Sequence, residues 1–288
     1  MIFLILFGSR LLFTLVKIYG TLILRPFFES PKPCGLVKST PKELIMKYSF
    51  KSFLEPQIFN KKDDYKSHPI SEVTIPDLNL SFRSDQIVSI IGGPGEGKSS
   101  LVQGIGAILI QNGKKVFHLD FENDSRFVVA GYLAPLLEST KRDALNPNFN
   151  QDKKDRLVEL YDDRLFMEGV SEKLTVSKII DTIESTRKEF NLDVVIIDCF
   201  SQLFGGLDMN KEMTELSEYS KNAGVGIIVT VCKNRNGSNP LIWLNRKNPR
   251  PIYIVISEVD LNNIISQVHI DGKKLRLNFD ISSNLFRD

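Results

Sequence analysis

The chain has 288 residues, 37 Lys+Arg against 35 Asp+Glu, 42% hydrophobic residues and 25% charged, which fits one large core or one core with an appendage. Nineteen phenylalanines among many Ile, Leu and Val exclude a wholly disordered chain, and no uncharged apolar stretch reaches the ~20 residues of a bilayer span, which excludes a polytopic membrane protein. Three cysteines (Cys34, Cys199, Cys232) without a C-x-x-C pair exclude a disulfide scaffold and suit a reducing, cytoplasmic compartment.

Residues 1–28 (MIFLILFGSRLLFTLVKIYGTLILRPFF) are very apolar, lack acid and are interrupted by Arg10, Lys17 and Arg25. Those spacings put the three cations on one face of a helix. Three readings stay open. The segment is an interfacial or targeting helix, giving membrane association or an organelle address. Or it is a helix packed on a neighbour. Or it is translated sequence ahead of a start at Met46. No small-residue cleavage motif follows, which argues against a signal peptide. Residues 1–47 carry seven Lys/Arg and two Glu, so the rest of the chain is slightly acidic. It lacks the basic body of a protein that coats DNA.

Residues 29–85 contain Pro31, Pro33, Pro41, Pro56, Pro69 and Pro76 and read as an irregular lead-in, with a short strand and a turn over 71–82. The chain therefore divides into an N-terminal segment 1–45, a lead-in 46–85 and a main domain 86–288.

A regular alternation begins at residue 86. QIVSII (86–91) reads as a buried strand, a glycine-rich turn follows, and a helix runs over 98–112. KVFHLD (115–120) is a second strand and 125–137 a helix. The polar stretch 138–156 reads as a long loop. A third strand begins at Arg164, and 176–190 is helical from the spacing of Val176, Ile179, Ile180 and Ile183. VVII (194–197) is a fourth strand, 213–222 a helix and GIIVTV (226–231) a fifth strand. This order predicts an α/β fold: a mostly parallel twisted sheet flanked by helices. Residues 251–257 and 264–279 read as antiparallel strands extending one sheet edge. Asp271-Gly272 supplies a type I′ hairpin turn.

The strongest motif is Gly92-Gly93-Pro94-Gly95-Glu96-Gly97-Lys98-Ser99, which matches G-x-x-x-x-G-K-[ST] between a strand and a helix. Its glycines let successive N–H groups converge on phosphate oxygens, and the helix N-terminus adds positive potential. The nucleotide-binding set is these eight residues with Ser100. Lys98 would bridge the β- and γ-phosphates and Ser99 would ligate Mg²⁺. Val194–Asp198 is an apolar strand ending in a carboxylate, placed to hold a water of that Mg²⁺. Glu122, just after the second strand, is positioned to polarise an attacking water. Asp120 and Asp124 are its rivals, and strand alternation does not choose between Asp120 and Glu122.

With these motifs in place, residues 82–237 resemble the RecA-like P-loop ATPases, and most closely the cores of DnaB-type and plasmid RepA-type hexameric replicative helicases. The resemblance is carried by FRSDQIVSIIGGPGEGKS (82–99), GKKVFHLDFE (113–122), DRLFME (163–168), LTVSKII (174–180) and LDVVIIDCFSQLF (192–204). It implies ATP as substrate with Mg²⁺, Lys98, Glu122 and Asp198 as the catalytic set, and Glu122 over Asp120 as base. It also implies a homo-oligomeric ring or filament acting on single-stranded DNA in replication or recombination. The chain departs from the family in lacking the hexamer's N-terminal domain. Cys232 or Lys233 also stands where a Gln or His sensor is usual. KNRNG (233–237) is similar to the family's K-x-R-x-G hairpin but lies too early in the chain. Arg235 and Arg246 are candidate arginine fingers. Lys233, Arg235 and Arg246, with Lys247, Arg250 and Trp243, also suit contact with single-stranded DNA, the alternative being a solvated loop. The other readings are a regulatory ATPase without unwinding and a nucleotide-binding module that docks to a partner. Cys199 reads as a small buried residue, and His68, His118 and His269 as scattered, with no zinc or catalytic pairing.

Overall fold

The structure is a computed structural model and describes residues 15–18, 21–24, 48–49, 72–170, 174–203, 209–233, 251–260, 262 and 264–287. The chain divides into two units, Met1–Leu44 and Ile45–Asp288. In the first, β1 (Leu15–Ile18) pairs antiparallel with β2 (Thr21–Leu24). The helix expected over 1–28 is therefore absent at these eight residues. Val16, Ile18, Thr21 and Ile23 are β-branched and prefer extended backbone.

Among its described residues, the second unit is built on a ten-stranded sheet. The strands in chain order are β3 (Tyr48–Ser49), β6 (Ile87–Gly92), β7 (Val116–Asp120), β8 (Leu165–Gly169), β9 (Val194–Asp198), β10 (Gly226–Cys232), β11 (Ile252–Val259), β12 (Ile264–Ile270), β13 (Lys273–Asp280) and β14 (Leu285–Phe286). A separate hairpin, β4 (Glu72–Ile75) with β5 (Leu80–Arg83), precedes β6 in the same unit. Across the sheet the order is β14-β13-β12-β11-β6-β10-β9-β7-β8-β3. The six strands from β11 to β8 are parallel. β3 at one end and β12–β14 at the other are antiparallel.

Helices α1 (Lys98–Gln111), α2 (Ser125–Leu137), α3 (Lys141–Leu145), α4 (Gln151–Tyr161), α5 (Val176–Phe190) and α6 (Met209–Ala223) cover the sheet. The alternation of side chains along each strand decides the faces. Val88 and Ile90 join the core with α1, α2 and the β4–β5 hairpin, while Ile87 and Ile91 join the core with α5 and α6. Both faces are thus dry, which is why these strands are continuously apolar rather than alternating. α1 lies close against α2. A Cβ on Gly106 would come 2.6 Å from the Tyr132 ring and hydroxyl, so only glycine lets the tyrosine lie there.

Two expectations are corrected. The long loop over 138–156 contains α3 and most of α4. Thr140 caps α3, its Oγ1 accepting from the Asp143 N–H at 3.1 Å. α4 turns little more than Val158 and Tyr161 inward, and Lys154 on the same face gives its ammonium to the Asn146 carbonyl at 2.6 Å. So thin an apolar stripe reads as loop. The second correction concerns 252–259. β11 does not begin an antiparallel extension. It lies parallel beside β6, and the antiparallel run starts only at β12. β11 is apolar enough for the buried middle of the sheet. The β12–β13 turn has positive φ at both Asp271 (49°) and Gly272 (83°), as the Asp-Gly sequence predicts. Among the described residues no helix is long and apolar enough to cross a membrane.

Candidate active site

Because β6, β7, β9 and β10 are parallel, their C-terminal ends share one edge of the sheet. The residues singled out in sequence emerge there. Gly92 ends β6 and leads through Gly95 and Gly97, at φ 76° and 82°, into α1. These angles are the left-handed backbone that glycine tolerates and other residues resist.

Lys98 is buried, and its Nζ donates to the Gly93 carbonyl at 2.8 Å. The ammonium is folded back over its own loop. Glu96 reaches the same place. Its Oε2 accepts from the Gly93 N–H at 2.6 Å and from Lys233 Nζ at 3.1 Å. Burial pushes the Glu96 carboxyl up, but the Gly93 N–H and the two lysines outweigh it and hold the group below its usual range. Lys233 Nζ also donates to the Ile256 carbonyl at 2.7 Å, and its N–H donates to the Gly92 carbonyl at 3.0 Å. Lys233 therefore faces its own P-loop. Arg235 and Arg246, the other finger or DNA candidates, lie outside the described residues, as do Trp243, Lys247 and Arg250.

Ser99 and Asp198 meet. The serine hydroxyl lies close enough to the Asp198 carboxylate to lower its pKa, and Thr230 Oγ1 donates to Asp198 Oδ1. Asp198 is fully buried, and its Oδ2 has no hydrogen-bond partner among the described residues. Burial, with the charge of Asp120, pushes its carboxyl up despite these donors and His118. An orphaned, buried carboxylate oxygen beside a serine hydroxyl suits a divalent cation. Ser100 differs from Ser99. Its Oγ accepts from Lys141 Nζ at 2.7 Å, which ties α1 to α3 rather than lining the loop.

The structure separates the three acidic candidates. Asp120 ends β7 directly opposite Asp198. Its Oδ1 accepts from the N–H groups of Glu122 and Asn123 at 2.8 and 2.6 Å. Burial would raise its carboxyl, but the His118 ring and these N–H groups hold it below the usual range. It is a structural anchor for the turn. Asp124 caps α2, accepting from the Arg126 N–H at 2.9 Å. Glu122, exposed at the sheet edge, reaches across to the residue after Asp198, where Cys199 Sγ donates to its Oε2.

Sequence reasoning missed His118. Its side chain is fully buried in β7, Nδ1 lies 2.8 Å from the Tyr132 hydroxyl and Nε2 lies 3.6 Å from Asp120 Oδ2. With Asp120 and Asp198 it forms a trio whose ligand atoms lie within 4.8 Å of one another. The clue was a histidine inside an apolar strand, two residues before an aspartate. Thr230 is a second missed residue, a hydroxyl in the run GIIVTVC. Neither signal has a spacing rule, because the partners come from different strands.

The comparisons with known proteins agree with this geometry at the level of fold. The chain is similar to the solved structure of an ATPase domain, with a TM-score of 0.56 and 14% identity over 72% of this chain and 86% of that one. At that identity the likeness is one of fold: a mostly parallel sheet flanked by helices, with antiparallel strands at one end. No family profile and no curated protein sequence matches the chain.

Proposed function

We propose that the chain hydrolyses ATP with Mg²⁺ and works as a DNA-binding motor or loader of the DnaB/RepA-like class. The observation that carries the reading is the meeting of Lys98, Ser99, Asp198 and Glu122 at one sheet edge, on a glycine loop with two left-handed residues. The N–H groups of 95–99 at the N-terminus of α1 would receive phosphate oxygens. Lys98 would exchange the Gly93 carbonyl for a phosphate, a stronger partner because it is charged. Ser99 and Asp198 would hold Mg²⁺, which when bound neutralises charge on the β- and γ-phosphate oxygens. Glu122 would orient a water and accept its proton. Asp120, already engaged by two backbone N–H groups, is less free to do so.

The finer reading adds a homo-oligomer on single-stranded DNA, with Arg235 or Arg246 as finger or DNA contact. Lys233 belongs to the phosphate end of the site in this reading, given its bond to Glu96. The test is ATP hydrolysis by the full chain, with and without single-stranded DNA, beside Lys98→Ala and Glu122→Gln. The expected result is a DNA-stimulated rate that both substitutions reduce by at least about a hundredfold, with ATP binding retained in Glu122→Gln. Turnover indifferent to DNA would sink the motor reading.

A further inference from the structure

Cys199 directly follows Asp198, and its backbone is left-handed, with φ 62°. A residue with a Cβ adopts that conformation only where its surroundings impose it. Here they do. The Cys199 N–H donates to Asp198 Oδ1 at 3.0 Å and to Thr230 Oγ1 at 2.7 Å. The turn so fixed carries the thiol to Glu122, and Sγ donates to Oε2. Cys199 is 4% exposed while Glu122 is exposed, so the cysteine is the fixed end of that bond. The S–H is the donor in that bond and the carboxylate oxygen the acceptor.

We propose that Cys199 is a positioning residue for hydrolysis: its thiol fixes the Glu122 carboxylate relative to Asp198, coupling the base to the metal-binding strand. The inference rests on the ATPase reading. One oxygen of Glu122 is held by Sγ, which leaves the other to receive the water's proton. The same backbone turn is pinned through Thr230 and Asp198, so Glu122 and Asp198 are set by a single bent segment. A carboxylate just past the end of β7 would otherwise sample many rotamers, and only a few of them aim at a water beside the γ-phosphate.

The test is steady-state ATP hydrolysis and direct binding of a fluorescent ATP analogue by the full chain with Cys199→Ala, Cys199→Ser and Cys199→Gly. Alanine should lower kcat about tenfold, the weight of one hydrogen bond to a charged group, with nucleotide affinity unchanged. Serine keeps a donor and should recover kcat to within about threefold of wild type. Glycine suits the left-handed backbone, so it should keep the wild-type melting temperature while losing kcat like alanine. In a Glu122→Gln background, Cys199→Ala should lower the residual single-turnover rate no further. Wild-type kcat in both the alanine and glycine variants would overturn the proposal. So would serine as slow as alanine, or a full further loss on top of Glu122→Gln. If the wild-type chain shows no Lys98-dependent turnover, the ATPase reading itself falls; if it turns over normally and the alanine and glycine variants do too, only the role of Cys199 falls.

Discussion

Replacing Tyr132 by Phe removes one oxygen from the middle of the protein and nothing else. The ring is fully buried between α1 and β7, and its hydroxyl meets His118 Nδ1 at 2.8 Å. Burial, then the charges of Asp198 and Asp120, push the phenol well above its ordinary range, so it is a donor at any pH of interest. The hydroxyl and Nδ1 share one hydrogen bond, and Nε2 lies 3.6 Å from Asp120 Oδ2. Phenylalanine keeps the ring volume and the edge-on contact with the imidazole, whose centroid lies 5.6 Å away. No cavity larger than the missing oxygen results. The loss is one buried hydrogen bond together with the cost of leaving Nδ1 without a partner, about 1–3 kcal/mol. In a chain of this size that lowers the melting temperature by about 2–4 °C per kcal/mol. Urea unfolding of wild type and Tyr132→Phe should show a lower midpoint at an unchanged slope. The double-mutant cycle with His118→Leu should show a coupling of about 1 kcal/mol or more, because the two groups share one bond. A destabilisation under about 0.5 kcal/mol with negligible coupling would refute the reasoning. The hydroxyl and the ring nitrogen would then not be each other's partners.

Two further outcomes follow from the same structure. Gly97→Ala puts a Cβ at φ 82°, 2.7 Å from Ile281 Cδ1. The left-handed backbone alone costs about 1–2 kcal/mol, so thermal melting should fall and ATP binding measured by calorimetry should be lost or much weakened; binding at wild-type strength would count against the phosphate-loop geometry. Glu184 on α5 takes two bonds of 2.9 Å from Arg187 and one of 2.9 Å from the Tyr219 hydroxyl on α6. The Arg187 bonds, with Tyr219 and Lys188 and against the pull of burial, lower its carboxyl from 4.5 to about 2. A folded pKa below the unfolded one stabilises fully above pH 4.5 and is lost as pH falls from 4.5 toward 2. The site is partly exposed, and solvent screening brings the contribution down to about 1 kcal/mol. Glu184→Gln should therefore be less stable than wild type at pH ~7, with the gap narrowing by pH ~3.5; a gap that does not change with pH would contradict the linkage.

The phosphate loop was legible because it is local. The glycines, Lys98 and Ser99 are consecutive, and the strand and helix flanking them have their own apolar patterns. The five central strands were legible for a related reason: each is a short, mostly apolar run buried on both faces. The direction of β11 was misread because whether a strand runs parallel or antiparallel to its neighbour is not written in its own residues. Ile252–Val259 is apolar enough to sit beside β6 or at an edge, and pairing chose the former. α4 was missed because Lys154 uses an inward position that an apolar residue would have marked.

The site divides in the same way. The sequence by itself determined that a glycine-rich loop matching a phosphate-binding motif joins a strand to a helix, that an aspartate ends a buried strand and that acids cluster after β7. It could not say which acid does what. Asp120, Glu122 and Asp124 lie within five consecutive residues, and periodicity treats the first two alike. Tertiary structure separated them. Asp120 stands opposite Asp198 and folds onto the backbone of its own turn, Asp124 caps a helix, and Glu122 crosses to Cys199 on another strand's end. The physical reason is range. Capping and loop chemistry act within a few residues and leave a pattern in the sequence. The pairing of His118 with Tyr132, of Thr230 with Asp198 and of Cys199 with Glu122 spans 14, 32 and 77 residues. Those partners meet only once parallel strands have been aligned at one edge of the sheet.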